Sequence, residues 1–274
     1  MANSNPKLTR FKQDIFAKTG FLILFLFFGL SLIQSFLPSP FEQNLQNRLL
    51  EIGSDGHLFG TDQFGRDLLS RLIYGIRISM VAGILGSIIS AVIGISIGSL
   101  SGYFGGKIDS ILMRLTDMIM GFPTLLLLIA LSTAMEPGIK TVIIAIGIVS
   151  WTGMARLVRS QVLSIKSDEF IHAAKSLGFS ELKILLHHVL PNCIGPILIS
   201  FTLGISGAIM AEASLSFLGL GTQPPMPSWG IMISEGKDFF RVAPALSILP
   251  GCVIALAVMG FNLLGEALRD ALDR

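Results

Sequence analysis

Residues able to do chemistry are sparse in this chain, and those present are poorly spaced for it. Gly94-Ile95-Ser96-Ile97-Gly98 satisfies G-x-S-x-G, the elbow that presents a nucleophilic serine in hydrolases. That use needs a strand-to-helix turn or a histidine on a neighbouring apolar segment, and His57, His172, His187 and His188 all fall in polar stretches. Asp62 and Asp67 could open a calcium loop, but an EF-hand demands more ligands at fixed spacing and a closing glutamate. A turn and a helix cap account for the pair more simply. Cys193 and Cys252 have no metal-type spacing and lie in or beside apolar runs, so they read as buried free thiols. No G-x-x-x-x-G-K-[ST], H-E-x-x-H or Cys/His cluster occurs, so the chain has no Walker nucleotide site and no cofactor of its own is expected. Asp117 and Glu212 remain, each set in an apolar run. An ionisable group there costs roughly 2.5–3.5 kcal/mol on insertion scales, which marks function or enclosure by protein. Both are candidates for lining a pathway, Glu212 the better one, with a structural hydrogen bond as its alternative; Asp117 lies near an interface and can simply be hydrated.

The elements around these residues are apolar and long. Charged residues make up 14% of the 274 and apolar residues 51%, where soluble domains run near a quarter charged. A bilayer core of about 30 Å needs about 20 apolar residues in a helix, with every backbone group paired internally. Six stretches meet that need: Gly20–Leu37, Ile78–Leu100, Met118–Ala134, Thr141–Ala155, Ile197–Leu220 and Pro244–Leu264. The fourth is short and gains length if Trp151 sits in the interface and Arg156 snorkels outward. The first follows Lys7, Arg10, Lys12 and Lys18 but is long for a signal peptide and lacks a cleavage site, so it reads as an uncleaved span. The expectation is an all-α membrane protein with six transmembrane helices in the lipid bilayer and no nucleic-acid partner.

Orientation follows the basic residues. With the N-terminus inside, the inner segments hold Lys7, Arg10, Lys12, Lys18, Lys107, Arg114, Arg156, Arg159, Lys166, Lys175, Lys183, Arg269 and Arg274, 13 of 20. Both termini are therefore expected in the cytoplasm, with tails 1–19 and 266–274 flanking a first span 20–37, an outer segment 38–75 and a core 76–265. Leu68, Leu69, Leu72, Ile73 and Ile76 share one helical face opposite Arg66, Ser70, Arg71, Tyr74 and Arg77, with Asp67 as cap. That pattern predicts an amphipathic helix lying on the outer interface and feeding the second span. Ile108, Ile111, Leu112 and Leu115 repeat it on the inner side. Gly86, Ser90, Gly94, Gly98, Gly102 and Gly106 step by four and form a helix-packing ridge that meets either a span of this chain or one of a second chain.

The inner segment 156–196 contains Asp168–Asn192, DEFIHAAKSLGFSELKILLHHVLPN. Phe170, Ala174 and Leu177 fall on one helical face, Gly178 suits a left-handed stop, Ser180 can cap a second helix and Pro191 can close it. The pattern predicts a helix–glycine turn–helix, which could equally be an amphipathic loop packed on the membrane.

Ala173-Ala174, then Gly178, then Leu190-Pro191 resembles the EAA loop of ABC importer permeases, with His172 in place of the usual glutamate and His188 in place of isoleucine. Gly60-Thr61-Asp62-Gln63-Phe64-Gly65-Arg66-Asp67 resembles the outer signature of the C-type permease of dipeptide, oligopeptide and nickel importers. So does Glu212–Gly221 followed by Pro224-Pro225 and Pro227-Ser228-Trp229-Gly230. The resemblance implies a type I importer permease in the bacterial inner membrane, whose loop residues His172, Ala173, Ala174, Gly178, Leu190 and Pro191 couple to an ATP-binding subunit. It also implies a second homologous permease, two ATP-binding subunits holding ATP and magnesium, and an extracytoplasmic solute-binding protein. Peptides are the expected cargo, nickel the alternative within the family, and secondary transport the alternative outside it.

Overall fold

A computed structural model describes residues 14–54 and 56–273; Lys7, Arg10, Lys12 and Arg274 of the charge count lie outside them. Helices dominate, and no strand longer than an isolated bridge occurs among the described residues. Helix α1 (Ile15–Ile33) starts where the Asp14 carboxylate accepts from Phe16 N at 2.8 Å. Only Ala17, Gly20 and Phe27 of it are buried, as suits a peripheral span packed on one neighbour.

Helix α2 runs unbroken from Leu68 to Phe104, capped as expected by Asp67, whose side chain accepts from Ser70 N. Its 37 residues amount to about 55 Å, well beyond a bilayer core. The amphipathic stretch from Leu68 is therefore continuous with the second span, as a helix feeding that span should be. Ser70 and Arg71, assigned to its polar face, are 2% and 1% exposed; they face protein, because partners for them come from elsewhere in the chain.

Helix α3 (Gly106–Met120) and helix α4 (Thr124–Thr133) meet at 87°. The third apolar stretch, expected as one span over 118–134, is thus broken, and only the pair together is long enough to cross. Pro123 removes a backbone donor and disfavours helical geometry at Phe122, which places the bend. Helices α5 (Ile139–Val149) and α6 (Trp151–Ile165) join at Ser150 into one 27-residue span. Length thus comes from extending into the loop. Trp151 is 4% exposed and packs inside the bundle.

Short helices α7 (Glu169–Ser176) and α8 (Glu181–Ile184) follow. The second helix does not end at Pro191. It passes through a π-turn (Leu185–Val189) and a 3-10 turn (Leu190–Cys193) into α9 (Ile194–Phe217). Proline withholds one donor, and the wide and tight turns absorb the lost bond while the chain stays helical. Helix α10 (Trp229–Gly236) and helix α11 (Ala245–Asp273) complete the fold.

Helix α2 is the central strut, packed along α5, α6 and α9, while α11 lies between α1 and α9. Gly20 allows the α1–α11 approach: a Cβ there would stand 2.8 Å from the Gly260 carbonyl oxygen. One core cluster fills the end near Leu68 and Trp229, and another fills the end bearing α7 and α8. A third links α4 and α5 to α9. Cys193 is buried and Cys252 exposed, so only the first thiol matches expectation.

Candidate functional site

Between α7 and α8 the chain turns through Gly178 at φ +79°, with Phe179 N donating to Ala174 O at 3.3 Å and Gly178 N to Lys175 O at 2.9 Å. That is a left-handed helix stop, for which glycine carries least strain. Open space surrounds Gly178 on its Cβ side, so the turn is a free tip. The inward face of α7 is Ile171 and Ala174, 0% and 5% exposed, packed with Ile184, Leu185 and Val189. Phe170 and Leu177 point away from them, and Leu177 is 77% exposed. The face expected to unite Phe170, Ala174 and Leu177 is therefore split: Ala174 holds the loop together, while Ala173 and His172 look outward. Leu190 is half-buried and Pro191 exposed. Phe179, Leu182 and Leu186 extend the exposed apolar surface around the tip.

This tip is fixed to the long spans. The hydrophobic cluster under α7 continues into Tyr103 of α2 and Val158 and Val162 of α6. Tyr103 Oη donates to Glu181, Lys166 Nζ donates to the Tyr103 carbonyl, and Lys175 Nζ lies 3.4 Å from Glu181 Oε1. Both lysines also sit over the Tyr103 ring, at 5.4 and 5.6 Å. Residue spacing pointed to none of Tyr103, Lys166, Lys175 and Glu181 as a set, because they come together only in three dimensions.

The α2 ridge meets α5 and α6 of this same chain. Cβ atoms at Gly94, Gly98 and Gly102 would stand 2.6 Å from Met154 Cβ, 2.4 Å from Ala155 O and 2.8 Å from Arg159 O. Gly86 faces Ile146 in the same way, whereas Gly106 has φ +55° and no neighbour within 4 Å. Beyond the ridge, Arg159 Nε and Nη2 bond Asp109 of α3 at 2.6 and 2.7 Å. Arg156 bonds Asp117 at 2.5 Å, and both are largely exposed, so Asp117 is ion-paired at the surface of the chain.

At the end of α2 remote from the loop, Asp62 accepts from Phe64 N and Arg66 N through Oδ1 and from Arg66 Nε through Oδ2. Arg66 Nη2 and Arg71 Nη2 converge on Glu235 Oε2 of α10 at 3.0 and 2.7 Å. Two arginines and two carboxylates thus form a charge-balanced lock, nearly all buried. Arg71 is 1% exposed, so its charge is matched by these carboxylates in place of water. Asp67 also accepts from His57 Nδ1 at 2.8 Å. Gly60 and Gly65, both at positive φ, admit the Leu50 and Asn44 carbonyls, which a Cβ would meet at 2.2 and 1.8 Å. The Gly60–Asp67 signature is a folded clasp and not a calcium loop.

Glu212, the better candidate for lining a pathway, is fully enclosed by its own chain. Its Oε1 accepts from Ser216 Oγ at 2.7 Å, and Ser216 Oγ in turn accepts from Thr222 N. Trp229 N donates to Ser79 Oγ, and Trp229 Nε1 donates to Leu72 O at 3.1 Å. Gly230 lies against Ala213, whose carbonyl oxygen a Cβ would meet at 2.3 Å. The segment from Glu212 to Gly230 therefore ties α9 and α10 to α2, and Glu212 serves that tie in this conformation.

Long apolar helices bundled together, with an exposed helical loop packed on their ends, make the architecture of a membrane permease. Residues 94–274 match the family described as binding-protein-dependent transport system inner membrane component, and the chain belongs to that family, the permease subunits of ABC importers. It is 41% identical over 264 residues to the dipeptide transport system permease protein of Alkalihalophilus pseudofirmus, covering 96% of this chain and 86% of that one. The oligopeptide transport system permease protein of Haemophilus influenzae is 41% identical over 267 residues, with the same coverage. The glutathione transport system permease protein of Pectobacterium atrosepticum is 40% identical over 263 residues, covering 96% and 87%. An inward-facing MetNI methionine ABC transporter chain superposes with TM-score 0.61 at 15% identity, covering 73% of this chain and 95% of that one. At that identity the likeness shows the fold.

Proposed function

We propose that this chain lines one side of a peptide-translocation pathway in the bacterial inner membrane, with both termini cytoplasmic. The observation that carries the reading is the exposed apolar tip around Gly178, seated on the same cluster as α2 and α6. A tip so seated cannot be displaced without moving the spans beneath it. Its partners are a second homologous permease, two ATP-binding subunits that hold ATP and magnesium, and an outer solute-binding protein. Closure of the ATP-binding subunits pulls on Ala173, Leu177 and Gly178, and the spans rock as rigid bodies between outward and inward openings. The charge lock at Asp62, Arg66, Arg71 and Glu235 keeps the outer end of α2 attached to α10 through that motion. Peptide cargo is supported by the names of the dipeptide and oligopeptide relatives. Purification of the chain from its native membrane tests the reading. The expected co-purifying proteins are an ATPase and a second permease, and mass spectrometry of the captured binding protein should find peptides. Recovery of the chain without an ATPase, or of a binding protein loaded with metal alone, would sink it.

A further inference from the structure

A cavity of about 170 Å³ lies where the middle of α2 meets the α5–α6 joint and α9. Ser87, Ser90, Ser150 and Ser200 turn toward it, and Gly153 and Gly204 line its mouth. No charged side chain lines it. Other hydroxyls on these spans have partners within the chain: Ser96 Oγ donates to Val92 O at 2.7 Å, Thr202 Oγ1 to Leu198 O and Ser214 Oγ to Met210 O, both at 2.8 Å, and Ser206 Oγ to Val258 O at 3.2 Å. Ser87 differs. It is 5% exposed, and its hydroxyl has no hydrogen-bond partner among the described residues. A buried polar atom left so is destabilising unless something else satisfies it. Gly153 and Gly204 line the cavity with open space on their Cβ sides. A mouth formed by Ser150, Gly153 and Gly204, all exposed on the chain, does not suit hydrocarbon, because polar surface at membrane depth is tolerated where it lines water or protein.

We propose that this serine-lined cavity is a transit contact for the backbone of the transported peptide, an inference that rests on the peptide reading above. A hydroxyl both donates and accepts, so it can meet a peptide N–H or C=O whatever the side chain. Lack of charge excludes a strong hold on a terminus, and a pathway contact must be weak enough to release its cargo.

The test uses the complete complex in proteoliposomes, with Cys193 and Cys252 replaced by alanine and Ser87→Cys introduced. Labelled dialanine reports uptake, and 2-aminoethyl methanethiosulfonate probes the introduced thiol. The expected result is modification during turnover, at least tenfold loss of uptake on modification, and slower modification with excess dialanine. Ser87→Ala should lower uptake about fivefold at low peptide, the value of one hydrogen bond, and equally for dialanine and alanyl-lysine. A thiol that stays unmodified during turnover, or modification that leaves uptake intact, overturns the inference. A parent complex that takes up no dialanine overturns the peptide reading with it, whereas an active parent with an inert cavity overturns this inference alone.

Discussion

A methyl group added at Gly98 would stand 2.4 Å from the Ala155 carbonyl oxygen, and neither helix backbone can give way without opening the α2–α6 seam. Gly98→Ala should therefore destabilise the folded chain by about 1–3 kcal/mol through overpacking. Gly29 has nothing within 4 Å, so Gly29→Ala should stay within about 0.5 kcal/mol. Apparent melting temperatures of the two variants in one detergent separate the effects. Equal shifts would remove the ridge from the account. Charge burial gives a second contrast. Glu235→Gln leaves Arg66 and Arg71, 3% and 1% exposed, facing Asp62 alone, and breaking a buried pair from one side costs about 3–5 kcal/mol. Arg71→Met combined with Glu235→Gln removes one charge of each sign and should recover much of that loss, read in the same melting assay. The four-residue glycine spacing was legible in the sequence, and so were Asp67 as a cap and Gly178 as a stop, because each depends on near neighbours. Glu235 was not, since its partners lie more than 160 residues away. Glu212 was legible as a buried carboxylate, though its enclosure by Ser216 and its neighbours gives it a structural use.

The loop makes its own prediction at the level of the element. Ala173 and Ala174 adjoin in sequence but face opposite ways, outward and into the loop core. Ala174→Arg should force a cation beside Ile171 and Ile184, so limited proteolysis should cut the loop faster. Ala173→Arg should leave the loop as protease-resistant as the parent while releasing the ATP-binding subunit on purification. Identical behaviour of the two variants would contradict the inward and outward assignment. Helical periodicity failed here because α7 has only eight residues, too few for the pattern to choose between neighbouring faces. The breaks at Gly121–Pro123 and at Pro191 were equally hard to rank. Both prolines remove one donor, yet the first bends the chain by 87° while the second is absorbed by a π-turn and a 3-10 turn that keep the path helical.

On the scale of the whole molecule, hydropathy located every apolar run, because the bilayer imposes length and composition on each span independently of its neighbours. It did not reveal that α2 extends far beyond the bilayer core or that the third run is bent, since both depend on protein contacts at the span ends. The central claim is that force enters at the Gly178 tip and moves the spans as a body. The direct measurement is ATP hydrolysis and dialanine uptake by the reconstituted complex, comparing the parent with Leu177→Asp. Leu177 is the most exposed apolar side chain of the tip and takes no part in the loop core, so the variant should insert and fold as the parent does. The account predicts that parent uptake requires ATP and that Leu177→Asp loses both peptide-stimulated hydrolysis and uptake at least tenfold. Uptake that persists without the ATP-binding subunits, or a variant as active and as tightly coupled as the parent, would contradict it.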